Sequence, residues 1–153
     1  MSEVLNEILN VQGLSVEYPG FTLGPCSFSM KRGEILAAAG ESGSGKTTLA
    51  RALSRLLEED AAVAGEVVIA GSSLYEKKEE EVRRIRMELF SIVFQNSGEW
   101  LNPSMRLREQ LRETLIKKYP AREHRERMKT LMEMVGLEET DLERYPDQLS
   151  GGM

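Results

Sequence analysis

The sequence predicts an α/β fold: a strand-rich first third passes through a glycine loop into a predominantly helical last third. Three observations carry this. Residues 8–30 read as strand-forming runs separated by turn residues. A short apolar run from Ile35 to Ala39 meets "GESGSGKT", after which the hydrophobic period becomes that of a helix. From Asn96 onward, apolar residues recur at helical spacing.

The elements follow in order. "ILNVQGLSVEY" is rich in Ile, Val and Leu with partial alternation, and Pro19-Gly20 closes it. "TLGPCSFSM" is the second strand, and "KRGE" turns the chain into "EILAAAG", whose apolar residues suit a strand buried on both faces. Its three alanines form strands weakly, so packing must fix it. Past the loop, Leu49, Leu53, Leu56 and Leu57 line one side of a helix, with Arg51 and Arg55 opposite. "GEVVIAG" is a short strand. "KKEEEVRRIRMEL" is a charged helix with Val82, Ile85 and Leu89 as its apolar stripe, and "FSIVFQ" is another strand of the buried type. Leu107, Leu111 and Leu115 mark one later helix. Met128, Leu131, Met132 and Val135 mark a second, with Tyr119-Pro120 between them and Gly136 as the C-terminal cap. The methionines read as core filler, and the Glu and Lys run at 76–81 as a solvated helix face.

Bulk properties narrow the function. At 153 residues, 41% apolar and 29% charged, the chain has the composition of a globular domain with a core. A net charge of −5 argues against a general nucleic-acid binder. Cys26 is the single cysteine, so no internal disulfide forms and a reducing compartment fits; it reads as a small, partly buried strand residue. The N-terminus lacks the pattern of a signal peptide, and no apolar run reaches the roughly 20 residues a membrane-spanning helix needs. His124, among arginines on a helix, reads as a surface residue.

"GESGSGKT" matches G-x-x-x-x-G-K-[ST] from Gly40 to Thr47, between an apolar run and an amphipathic helix. Gly40, Gly43 and Gly45 permit the backbone to turn its N–H groups inward, and the helix adds the positive end of its dipole. The candidate phosphate-binding residues are Gly40, Glu41, Ser42, Gly43, Ser44, Gly45, Lys46, Thr47 and Thr48. Lys46 is the point charge for the β- and γ-phosphates, and the Thr47 hydroxyl is a candidate Mg²⁺ ligand. The ligand expected is a nucleoside triphosphate with Mg²⁺.

"LSGGM" at 149–153, Gln95 at the end of "FSIVFQ", and Tyr18 upstream of the loop occur together in an order that resembles ABC (ATP-binding cassette) ATPases, a family of P-loop NTPases. The resemblance covers about residues 8–153. It implies an N-terminal antiparallel β part, a parallel core sheet and a helical subdomain, divided as 1–95 and 96–153. Tyr18 would stack on adenine, with Phe21 as a rival platform. Gln95 would contact Mg²⁺ or the attacking water. Ser150, Gly151 and Gly152 would touch, in trans, the nucleotide held by a second ABC ATPase subunit, in a homo- or heterodimer.

"GESGSGKTT", "FQNSGEWLNPSMRLREQL" and "RYPDQLSGGM" resemble the ATPase subunits of dipeptide, oligopeptide and nickel importers. The chain departs from that branch at Arg108, where glycine is common, and at Asn96-Ser97, where Asp-Pro is usual. The resemblance implies transmembrane permease subunits as partners, with Trp100 and Leu101 either receiving them or packed within the helical part. An extracytoplasmic solute-binding protein is an indirect partner, nucleic acid is not, and the location is peripheral on the cytoplasmic face of the membrane.

No apolar strand ends in the acidic residue that P-loop NTPases use for Mg²⁺, and the family's catalytic glutamate and switch histidine have no counterpart. The chain therefore reads as the N-terminal, truncated part of an ABC importer ATPase, itself incompetent in hydrolysis. Two alternatives stand beside this: a non-hydrolytic nucleotide-binding or interaction module, and a cassette ATPase of DNA repair or translation. The "LNP" at 101–103 and the acidic balance favour transport over the latter. An incomplete parallel sheet leaves an apolar edge. The 153-residue chain is thus expected to be marginally stable, to aggregate, or to be compensated by another chain, and a cooperative thermal transition in a strictly monomeric, ligand-free sample counts against this.

Overall fold

The computed structural model describes residues 6–94 and 97–150. The chain divides into two compact units, Met1–Ile92 and Val93–Met153, set against the 1–95 and 96–153 division read from the sequence.

The first unit is built on β1 (Glu7–Tyr18), β2 (Phe21–Lys31), β3 (Ala62–Ile69) and the two-residue β4 (Ser72–Ser73), in the order β2-β1-β3-β4 and antiparallel throughout. Pro19-Gly20 joins β1 to β2, with Tyr18 paired to Phe21 across the turn. β1 is the central strand, and its burial pattern shows why its alternation is only partial. Val11 points into the core, but so do Leu14 and Val16, which a strand of strict period 2 cannot arrange. One extra residue in β1 between Val11 and Leu14 shifts the register against both β2 and β3. The bulge re-phases the strand so that its even positions turn inward.

Opposite the bulge lies Gly65. Its φ is +90°, and a Cβ there would sit 2.4 Å from the Gly13 carbonyl oxygen. Only glycine fits this approach of two backbones.

Two helices complete the unit. α1 (Lys46–Ser54) buries Ala52 and Ser54, with Leu49, Leu53 and Leu57 packed against the sheet residues Val11, Leu14, Val16, Val67 and Ile69. It ends earlier than the leucine spacing suggests. Arg55 takes a left-handed conformation, with its N–H directed to Ala52 O and Arg51 O. Its guanidinium donates to the Lys77 and Leu74 carbonyls at 2.6 and 3.3 Å, which hold the cap in place. Leu56 is left outside the core. The Tyr75 hydroxyl donates to Ala52 O at 2.9 Å, and burial pushes its pKa up to about 12. α2 (Glu79–Glu88) carries three glutamates in its first turn, where the helix dipole favours them, and it buries Val82 with Ile85 packed alongside.

The parallel core sheet does not form among the described residues. Residues 34–40 and 90–94, both expected as buried strands, carry no ladder, and Ile35 and Val93 are 94% and 86% exposed. Ala37, Ala38 and Ala39 have little strand preference of their own, so that run needs a paired neighbour, and every ladder described belongs to β1–β4.

The second unit is helical. α3 (Leu107–Ile116) and α4 (Ala121–Met134) enclose Leu115, Met128, Met132 and Leu142, with Leu111, Tyr119 and Leu137 alongside. Leu131 and Val135, expected in the stripe of α4, are exposed, because Met128 and Met132 take the inward face. Gly136 follows α4 with φ +73° and donates to Glu133 O, as expected of its cap. His124 corrects the surface reading: it is 7% exposed, with Nε2 2.8 Å from Tyr119 O, and Arg127 lies over the same tyrosine ring. Short 3₁₀ turns at Glu139–Glu143 and Pro146–Gln148 close the unit. Asp141 is buried in the first of them, accepting from Glu138 N and pairing with Arg144.

A polar bridge ties β1 to α1 within the first unit. Tyr18 donates its hydroxyl to Glu58 Oε2 at 2.5 Å, and Arg51 of α1 pairs with Glu58 Oε1. The hydrogen bond from Tyr18, foremost, and the Arg51 charge hold the Glu58 carboxyl below its usual range. The Tyr18 phenol is raised, first by burial and then by the Glu58 bond.

Two outcomes follow from this packing. Leu14→Ala is expected to lower the unfolding free energy by about 2–5 kcal/mol, and Leu56→Ala by no more than about 0.5 kcal/mol, as read by urea denaturation. Glu58 contributes stability above the ordinary glutamate pKa of about 4.3 and loses it as pH falls through its lower folded-state value. The melting temperature of Glu58→Gln should therefore trail the unsubstituted protein at neutral pH, with the gap closing in acid.

Candidate nucleotide-phosphate site

The loop from Gly40 to Thr47 leads directly into α1. Its lysine organises it: Lys46 Nζ donates to Gly40 O at 2.8 Å, to Glu41 O at 2.6 Å and to Ser44 Oγ at 3.3 Å. The ammonium has three donors, and all three are spent across the loop, drawing its ends into a ring. Ser44 N donates to Glu41 O within the ring.

The helix end beside it is electropositive. α1 starts at Lys46 with no side-chain cap and no acidic residue in its first turn, so neither neutralises its leading N–H groups. Gly45 precedes it with φ +93°, and a Cβ there would come within 2.8 Å of Leu23 Cδ1 and 3.1 Å of Phe21 Cζ. The absence of that Cβ lets the loop rest on β2.

The donor set suits an anion. Ser42, Ser44, Thr47 and Thr48 bring hydroxyls, Lys46 a charge and the backbone its amides, while Glu41 is the one carboxylate of the stretch. A metal alone is poorly served: among the described residues, no group of three His, Cys, Asp or Glu side chains could hold one. Mg²⁺ takes oxygen ligands and usually reaches such sites together with phosphates. The Thr47 hydroxyl fits as one protein ligand in that arrangement.

The remaining sequence candidates are placed as follows. Tyr18 sits half-buried at the hairpin end with its hydroxyl on Glu58, and Phe21, its rival, has its ring edge against Gly45. Gln95, Gly151 and Gly152 lie outside the described residues. Ser150 is exposed just after the Pro146–Gln148 turn. Trp100 is exposed and stacks on Phe94, with ring centroids 4.8 Å apart. Cys26 is a partly buried strand residue whose thiol is raised by burial, a poor nucleophile.

Sequence reading missed the Tyr18–Glu58–Arg51 bridge. Glu58 lies in "LEED", which reads as a polar helix exit. Its partners come together only because α1 stops at Ser54 and the chain doubles back.

Comparison with known proteins gives this geometry a setting. A model of the ABC transporter family matches residues 23–153. The chain is 38% identical over 158 residues to the dipeptide transport ATP-binding protein DppF of Haemophilus influenzae, covering 95% of this chain and 47% of that one. It is 34% identical over 155 residues to the oligopeptide transport ATP-binding protein OppD of Escherichia coli, covering 95% and 46%. The chain thus spans about half the length of the curated relatives it matches.

The dimeric structure of MJ0796, a bacterial ABC transporter cassette, superposes with a TM-score of 0.79 at 27% identity, over 94% of this chain and 63% of that one. A dimeric post-hydrolysis state of the same cassette, bound to ADP and Pi, gives 0.78. The α/β cassette fold expected from the sequence is the fold of these structures. Matched by the family's model over most of its length, this chain belongs to the ABC transporter family.

Proposed function

We propose that this chain is the ATP-binding part of an ABC importer ATPase that couples ATP binding and hydrolysis to uptake of a small solute of the peptide or nickel type. The observation that carries the reading is the ring closed by Lys46 at the uncapped start of α1. The names of the relatives, dipeptide and oligopeptide transport ATP-binding proteins, support the solute class.

The residues take the following parts. The amides of residues 41–48 and Lys46 hold the phosphates, with Lys46 exchanging loop carbonyls for phosphate oxygens as the stronger, charge-assisted acceptors. The Thr47 hydroxyl would be a protein ligand of Mg²⁺, which when bound neutralises phosphate charge. Tyr18 receives the adenine ring. Ser150, Gly151 and Gly152 serve the nucleotide of a second ABC ATPase subunit; the dimeric form of the matched cassette supports that partner.

Among the described residues, no helix is long and apolar enough to cross a membrane. In this reading the chain works peripherally on the cytoplasmic face, against permease subunits, and a solute-binding protein acts from the other side.

Titration with a fluorescent ATP analogue tests the core of the proposal. Lys46→Ala should weaken binding at least about tenfold, the loss of one charge-assisted contact. An unchanged affinity overturns the assignment of the loop.

A further inference from the structure

The Tyr18–Glu58–Arg51 bridge has no part in phosphate binding, yet it joins the two elements that meet at the loop. Glu58 uses both carboxylate oxygens: Oε2 accepts from the Tyr18 hydroxyl at the end of β1, and Oε1 pairs with Arg51 on the helix that Lys46 begins. Across the Pro19-Gly20 turn, Tyr18 is paired with Phe21, whose ring edge lies against Gly45 at the other end of the loop's glycine run. The aromatic end of the hairpin is thus fastened to the loop and helix at two points. One is apolar, through Phe21 and Leu23, and the other is ionic, through Glu58.

From this we infer that Glu58 is a positioning residue for nucleobase binding: it clamps the Tyr18 ring to α1 and so fixes the place of an aromatic platform relative to the phosphate loop. The inference rests on the proposed nucleotide site and deepens it. Tyr18 packs partly against the core, and the exposed part of its ring, beside the turn at the end of β1, keeps freedom to shift when its hydroxyl is untethered. Anchoring its hydroxyl to a carboxylate that is itself held by a helix-borne guanidinium removes that freedom before a ligand arrives, and pre-organisation of this kind increases affinity. Glu58 lies past the end of α1 and touches the ligand in no part of this scheme. Its effect passes through Tyr18.

The experiment compares ATP with inorganic tripolyphosphate on the 153-residue chain, by competition against a fluorescent ATP analogue. Tripolyphosphate reports the loop alone, and ATP reports loop and base together. Tyr18→Phe keeps the ring and removes the tether, while Glu58→Ala removes the clamp. Both are expected to weaken ATP roughly two- to tenfold, the range for freeing one ordered side chain, and to leave tripolyphosphate unchanged. Glu58→Gln, which can still accept from Tyr18, should recover part of the loss.

If both ligands weaken equally, or if neither changes, Glu58 has only a structural role or none and the inference is overturned. Failure of the nucleotide site itself shows separately, as Lys46→Ala leaving both ligands bound as before.

Discussion

The ammonium of Lys46 is the interaction on which the first unit's functional geometry turns. It lies at the junction of a flexible loop and a rigid helix, and its three hydrogen bonds all go to loop oxygens that precede it in sequence. A glycine-rich segment loses much conformational entropy when ordered, and here one side chain supplies the compensating bonds. The backbone amides can then be arranged around a charge in advance. Gly45 secures the same loop from the other side by resting on Leu23 and Phe21. Loop, helix start and hairpin therefore behave as one assembly, built on the sheet whose core is Val11, Leu14, Val16, Val67 and Ile69.

Much of this was legible in the residues. The loop motif, the helix after it, the strands β1 to β3 and the two helices of the second unit each have a local cause: turn chemistry, hydrophobic period or capping. What escaped reading depends on contacts between segments distant in sequence. The bulge in β1 gives no signal beyond a defect in alternation, and Gly65 explains it only once the two strands are side by side. Four leucines advertise a longer α1, but Arg55 finds carbonyl acceptors at Leu74 and Lys77 and stops it. His124 looks solvated among arginines, yet the Tyr119 carbonyl and the α3–α4 packing take it inward.

The two apolar runs at 34–40 and 90–94 show the limit of composition as evidence for strands. An apolar, glycine-bounded run states that burial is favourable, and it leaves open which backbone will supply the ladder. Ile35 and Val93 remain largely solvated in the described structure, while the antiparallel strands, whose partners lie within reach, are complete. Antiparallel pairs close through short turns such as Pro19-Gly20, whereas parallel ones need a crossover connection. Local sequence therefore determined the β1–β2 hairpin, whereas the β1–β3 ladder and any parallel pairing join segments distant in the chain.

The bulge opposite Gly65 also has a consequence for spacing. Because it changes which face each later residue of β1 occupies, it serves as a phase marker for the five positions from Leu14 to Tyr18. The close fit of Gly65 against Gly13 pins the marker in one place, which denies the strand the slippage that plain alternating strands allow. The distance from the pinned point to the hairpin end is therefore counted in whole residues. Lengthening or shortening β1 by one residue beyond Gly13 would carry Tyr18 to the opposite face of the sheet, away from Glu58.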